Sequence, residues 1–200
     1  MNVRFFYLLL SLIAAVKGIN AQQLFQPPAC YDVGIAPRAL VSADFNHDGK
    51  LDIASADWVG GTTSVILGNG DGTFDAPNTY PAGSAPQSIC TADFNSDGHL
   101  DLAVPNVLSN TVSLFYGLGN GQFTVATPMI LDEPIWIVSG DFNLDNKADM
   151  VVALNSFGKI AVLTGDGTGG FTTQKFSSGG EFPSRIVSAD FNTDGKTDLA

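Results

Sequence analysis

An acidic nonapeptide recurs four times along this chain at nearly constant spacing, and it limits the possible folds more than any other feature. It reads DFNHDGKLD from Asp44, DFNSDGHLD from Asp93, DFNLDNKAD from Asp141 and DFNTDGKTD from Asp190. Successive copies begin 49, 48 and 49 residues apart. A period of this size corresponds to one supersecondary unit per copy, stacked in a row or arranged in a ring.

Each period divides into four short strands. In the first they are expected at 38–45, 51–57, 62–67 and 73–80, where apolar and β-branched residues dominate. The second repeats the scheme at 88–94, 100–106, 111–117 and 122–128, and the third at 135–142, 148–155, 159–165 and 170–176. The segments GNGDG at Gly68–Gly72, GLGNG at Gly117–Gly121 and GDGTGG at Gly165–Gly170 are hairpin signals, because Gly and Asn tolerate positive φ. A proline stands seven residues before each nonapeptide (Pro37, Pro86, Pro134, Pro183), as suits the start of a strand. Adjacent apolar pairs follow: Leu40-Val41, Ile89-Cys90, Ile137-Val138 and Ile186-Val187. Neighbours on a strand point to opposite faces, so both faces of this strand are expected to be buried between sheets.

Four-stranded antiparallel units packed face to face describe an all-β fold, a β-propeller. An extended solenoid is the alternative, but an open stack leaves pairing-competent edges in water. About three and a half blades fit the chain, so a partial or truncated propeller is expected. The repeats fall near 31–80, 81–128, 129–177 and 178–200, the last incomplete. Asn155 lies six residues after Asp149, whereas Asp57 and Asn106 lie five after Asp52 and Asp101. A local bulge in the third repeat would absorb the difference.

Residues 1–21 read as a signal peptide, with Arg4 before the apolar run FFYLLLSLIAAV at 5–16 and small residues up to Ala21. The run is shorter than the roughly 20 residues of a membrane span; an uncleaved anchor is the alternative. No later segment could cross a bilayer. Residues 22–30 read as a linker and 31–200 as the repeat domain. A secreted, extracellular or periplasmic location follows. Cys30 and Cys90 are too few for a disulfide framework, and Cys90 replaces the valines at 41, 138 and 187 as a small buried hydrophobe.

Without residues 1–21 the chain has 7 basic and 20 acidic residues, a net charge of −13, and twelve of the acids are the nonapeptide aspartates. No basic stripe exists to neutralise phosphates, which argues against nucleic acid. Calcium takes six to eight oxygens in flexible geometry, and D-x-N-x-D-G-x-x-D supplies oxygens at alternate positions. The expected donors of the first loop are the side chains of Asp44, Asn46, Asp48 and Asp52 and the carbonyl of Lys50. Those of the second are Asp93, Asn95, Asp97, Asp101 and the carbonyl of His99. The third offers Asp141, Asn143, Asp145, Asp149 and the carbonyl of Lys147. The fourth offers Asp190, Asn192, Asp194, Asp198 and the carbonyl of Lys196. Up to four Ca²⁺ sites result. Gly49 permits a sharp turn at positive φ, and Asn146 tolerates the same region in the third loop. The metal-free alternative is a tight turn in which Asx side chains bond the backbone. An EF-hand does not fit, because no Glu occupies its twelfth position and strands flank the loop.

The nonapeptides, followed by LDIA, LDLA, ADMV and TDLA, together with LGNGDGTF at 67–74, YGLGNGQF and LTGDGTGGF, resemble the FG-GAP/VCBS repeat family. The resemblance runs from about Cys30 to Ala200. It implies propeller blades like those of the integrin α-subunit head, with calcium loops between the first and second strands of a blade. It also implies roles in adhesion, in carbohydrate binding or as an accessory part of larger secreted proteins. Closed members have about seven blades.

No nucleophile, zinc-protease or phosphate-loop motif is present, and no catalytic residue is assigned. A carboxylate acid/base pair could be drawn only from Asp57, Asp75 or Asp132-Glu133. His47 and His99 read as solvated surface residues. The position five residues before each nonapeptide varies sharply (Ala39, Ser88, Trp136, Arg185) and lies on the strand nearest a propeller channel. Trp136 and Trp58 could stack on a sugar or grip a protein, although ordinary packing between blades accounts for Trp136 as well. The expected function is a calcium-binding, non-enzymatic binding or adhesion module with a protein or carbohydrate ligand. Self-association through unpaired blade edges is a further expectation. The alternative is a fragment of a larger secreted carbohydrate-active enzyme or lectin.

Overall fold

The β-branched and apolar runs form strands, and the computed structural model describes them over residues 30–155, 158–180 and 183–200. The expected signal peptide at 1–21, and all of the linker except Cys30, lie outside the described residues. Residues Asp32–Ala200 form one compact unit. There is no helix among the described residues.

Three antiparallel sheets follow one another, each a meander in sequence order. The first comprises β1 (Pro37–Ala43), β2 (Asp52–Asp57), β3 (Thr62–Ile66) and β4 (Asn78–Pro81). The second comprises β5 (Cys90–Ala92), β6 (Asp101–Asn106), β7 (Thr111–Gly117) and β8 (Phe123–Val125), with β9 (Met129–Ile130) also on β7. The third comprises β10 (Pro134–Gly140), β11 (Asp149–Leu154), β12 (Lys159–Gly165) and β13 (Phe171–Ser177). A fourth begins with β14 (Ser188–Ala189) paired to β15 (Asp198–Leu199). This is a partial β-propeller, as the repeat period implies.

The outermost strands of the first two sheets are interrupted where the sequence expects continuity. Gly68 bridges Phe74, and pairing resumes only at Asn78. In the second sheet, β8 stops at Val125 and β9 starts at Met129. Pro77 and Pro128 lie in these gaps. Proline has no N–H for the ladder, and an edge strand tolerates the loss. The third sheet has no proline there, and β13 runs unbroken for seven residues.

The core forms between sheets. Phe45, Ala54, Ala56 and Val65 of the first sheet meet Ile89, Leu102, Val104, Phe115 and Phe123 of the second. The opposite face of the second sheet, with Cys90, Ala103, Val112 and Leu114, meets Ile137, Met150, Val152, Leu154 and Leu163 of the third. Ile186 packs on Val151 and Ala153. Alternation along each strand thus serves two interfaces.

Two expectations require correction. The paired apolar residues are buried on both faces only in the inner sheets: Leu40 is 63% exposed and Val187 58%. The physical reason is position, since Leu40 points away from the second sheet and Val187 away from the third. The third repeat also has no extra residue. Leu154 pairs with Pro134 as Asp57 pairs with Pro37, and both sheets shift register just after that proline. Leu154 therefore occupies the place of Asp57 and Asn106, and Asn155 falls in the following turn. Both cysteines are free, and burial pushes the Cys90 thiol up to about 12, as fits an inert core residue.

Phe94 is 1% exposed and packs edge to face on Phe171, with ring centroids 5.9 Å apart. Its counterpart Phe191 is 56% exposed. Urea denaturation should show a loss of about 3–5 kcal/mol for Phe94→Ala and less than about 1 kcal/mol for Phe191→Ala.

Candidate metal-binding loops

Each nonapeptide forms the connection from the first to the second strand of its sheet and leaves that connection almost entirely to polar atoms. In the first loop, Asp44 Oδ1 and Asn46 Oδ1 accept from the same amide, Asp48 N, at 3.1 and 3.0 Å. Asp44 Oδ2 accepts from Gly49 N at 2.8 Å, and Asp48 Oδ1 from Lys50 N at 2.9 Å. The Lys50 amide holds Asp48 below the usual carboxylate range. The second loop repeats every contact with Asp93, Asn95 and Asp97, whose acceptors take the amides of Asp97, Gly98 and His99. Asp141, Asn143 and Asp145 do the same for the amides up to Lys147. Asp190, Asn192 and Asp194 do so up to Lys196. In every loop the predicted side-chain donors at the first and third positions thus meet at one amide, and the one at the fifth turns to the amide two residues on.

The ninth residue is placed differently. Asp52 is fully buried and bridges two strands' worth of backbone: Oδ2 accepts from Phe45 N at 2.9 Å and Oδ1 from Gly68 N at 2.8 Å. Asp101 bridges Phe94 N and Gly117 N in the same way, and Asp149 bridges Phe142 N and Gly165 N. Asp198 accepts from Phe191 N at 3.1 Å. Burial pushes the Asp101 carboxyl up to about 6, opposed by the two amides and reinforced by the charges of Asp97 and Asp93. Close approach explains the glycine at the far end of this bridge. A Cβ on Gly68, Gly117 or Gly165 would collide with the carbonyl of Leu51, Leu100 or Ala148. Sequence reasoning took these glycines only as part of a hairpin turn.

A second missed feature is backbone strain. Gly49 has φ 80° and Asn146 φ 62°, as the turn requires, but the fourth loop position is also left-handed: His47 59°, Ser96 57°, Leu144 63° and Thr193 62°. None is glycine, and such a conformation costs roughly 1–2 kcal/mol per residue. The variable residue at this position gave no signal in the sequence.

Among the described residues, no three Asp, Glu, His or Cys side chains converge as a ready-made metal site. The fit to a hard cation rests instead on the donor set, since every side-chain ligand atom expected of the loop is an acceptor oxygen; Asp44 and Asn46 each direct one at the Asp48 amide. Lys50 lies 3.2 Å from Asp48, and Lys147 lies 3.9 Å from Asp145, each partly exposed.

Other singled-out residues take structural places. Asp57 is fully buried and accepts from Ser55, Thr62 and Ser64, so it is not an exposed acid or base. Asp132 is paired with Lys175 at 2.7 Å. Trp136 is partly buried in the core around Ile186, with the Arg185 guanidinium 5.1 Å from its ring. Arg38 lies 4.4 Å over Trp58. An open cleft of about 680 Å³ separates the second and third loops. Asp93, Asp141, Ser139 and Lys147 line it.

A family model described as an FG-GAP-like repeat matches residues 28–104 and 141–200. No curated protein matches the chain significantly. Among solved structures, BBS1N in complex with ARL6DN is similar, at 17% identity and a TM-score of 0.54 over 82% of this chain and 50% of that one. An Agrocybe aegerita lectin that recognises non-reducing terminal N-acetylglucosamine is similar at 18% identity and a TM-score of 0.56, over 79% and 44%. A protein from Lactobacillus plantarum is similar at 11% identity and a TM-score of 0.50, over 74% and 44%. The chain spans about half the length of the structures it matches. At these identities the likeness concerns the fold.

Asp149→Ala leaves one buried and one partly buried amide without an acceptor, at about 1–3 kcal/mol each. Chemical denaturation should therefore show a loss of about 2–5 kcal/mol, while Leu144→Asn, which suits a left-handed residue, should gain about 0.5 kcal/mol.

Proposed function

The chain belongs to the FG-GAP-like repeat family, and from that premise we propose that it is a secreted, calcium-braced binding module without enzymatic activity. The observation that carries this reading is the four-fold repetition of one loop whose first and third side chains accept from the same amide, that of the fifth residue, while the fifth side chain accepts from the amide of the seventh. Three carboxylates in nine residues repel one another unless a cation screens them. Calcium would be held by Asp44, Asn46, Asp48, Asp52 and the Lys50 carbonyl, and by the corresponding groups of the other loops. Bound there, it supplies charge compensation and stiffens the link between first and second strands. Affinities of order 10⁻⁴–10⁻³ M suit an extracellular module. The apolar run before Ala21 supports export.

The open cleft between the second and third loops supports a ligand-binding role, because carboxylates, a hydroxyl and one lysine border it. Its polarity favours a hydroxyl-rich ligand such as a carbohydrate, and the fold likeness to a lectin accords with that choice. The outward faces carrying Leu40 and Val187 offer apolar surface for a further sheet or a second copy.

Calcium should raise the melting temperature in calorimetry, and EDTA should lower it; identical melts with and without the ion would overturn the calcium reading. On a glycan array the protein should retain a subset of sugars, and Ala148→Trp, which fills the cleft, should abolish that retention. Indifference to the tryptophan would place the ligand elsewhere.

A further inference from the structure

The two histidines of the chain come together. His47, at the fourth position of the first loop, places Nε2 3.0 Å from Nδ1 of His99, at the seventh position of the second loop. Their ring centroids are 5.2 Å apart. The rings sit 52 residues apart in sequence, on neighbouring sheets, and His47 is exposed.

We propose that His47 and His99 form a two-imidazole site for a divalent transition-metal ion of the zinc and copper class, clamping the first sheet's loop to the second's. The nitrogen separation is the bite such an ion needs, since two cis ligands at about 2.0–2.1 Å each lie about 3 Å apart. Imidazole nitrogen suits zinc, copper and nickel, while calcium takes oxygen. The ligand atoms of this site are therefore distinct from the oxygens of the calcium reading. At present one ring donates its N–H to the other. The ion takes both lone pairs once that proton sits on the far nitrogen of its ring, and water completes the coordination.

The meeting is built by the repeat. The left-handed φ of 59° at His47 is shared by the fourth position of every loop. The His99 ring lies over the hairpin glycine Gly119, as the Lys50 stem lies over Gly70 and the Lys147 stem over Gly167. Ser96, the fourth residue of the second loop, also reaches Gly167. At the first seam the fourth residue of one loop meets the seventh of the next directly, and at the second seam both lie against the same hairpin glycine. Only the first seam carries histidine at both places; the later ones carry Ser96 with Lys147, and Leu144 with Lys196.

The test uses the untagged chain in saturating Ca²⁺. Titration calorimetry with Zn²⁺ should show one ion per chain, and Cu²⁺ should give a paramagnetic resonance spectrum with coupling to two nitrogens. His47→Ala and His99→Ala should each lose the zinc heat and reduce the copper coupling, and His47→Ala should leave the calcium response unchanged. The double variant S96H/K147H should take up a second zinc ion. Absence of uptake by the original chain, or uptake that survives both alanine substitutions, would overturn the site. A double variant that still binds one ion would overturn the positional rule behind it.

Discussion

A buried carboxylate that accepts two backbone amides holds each sheet together at its loop end. Asp52, Asp101 and Asp149 each tie the amide of the loop phenylalanine to the amide of a glycine sixteen residues further on. Those two amides would otherwise lie buried with no acceptor, at a cost comparable to a lost hydrogen bond each. The bridge fixes the first strand, the second strand and the following hairpin relative to one another. Phe45 and Phe94, adjacent to the first amide, are thereby driven into the core between sheets. Its ninth residue thus makes the nonapeptide a structural staple.

The loop itself is held in a conformation its residues resist. Two left-handed positions occur in nine residues, and one of them is occupied by histidine, serine, leucine or threonine. Backbone amides of the fifth to seventh positions converge on the first three acceptors and offset part of that strain. A cation would add to the same compensation by neutralising carboxylates that have few basic neighbours. Strain of this kind persists only where surrounding contacts over-determine the backbone, and here the contacts are polar and local.

Most of the architecture was legible because the determinants are periodic. The period, the strand order and the hairpin glycines could all be read from the residues, and the first strands of the first and third sheets begin one residue earlier than expected, at Pro37 and Pro134 themselves. The failures came where a residue's meaning depended on its neighbours in space. Leu40 and Val187 look like Ile89 and Cys90 in the sequence, yet only the latter are covered on both sides. Asn155 looked like a displaced Asn106, although Leu154 fills that site with an apolar side chain. The bridge that the ninth aspartate makes to two amides carries no mark in the sequence, because one of those amides lies sixteen residues away. The histidine contact spans 52 residues, and only the offset between successive repeats brings it about.

The uneven exposure of Leu40 and Val187 has a geometric consequence. Each sheet presents one face to its predecessor and a different face to its successor, so the array has a direction, like an arrow rather than a plank. Leu40 belongs to the tail and Val187 to the head. A copy of this chain that continues the array by setting its tail on another's head does so in a heterologous contact, which closes only as a ring and otherwise propagates as a filament, whereas two tails or two heads facing each other close at once as a two-fold pair.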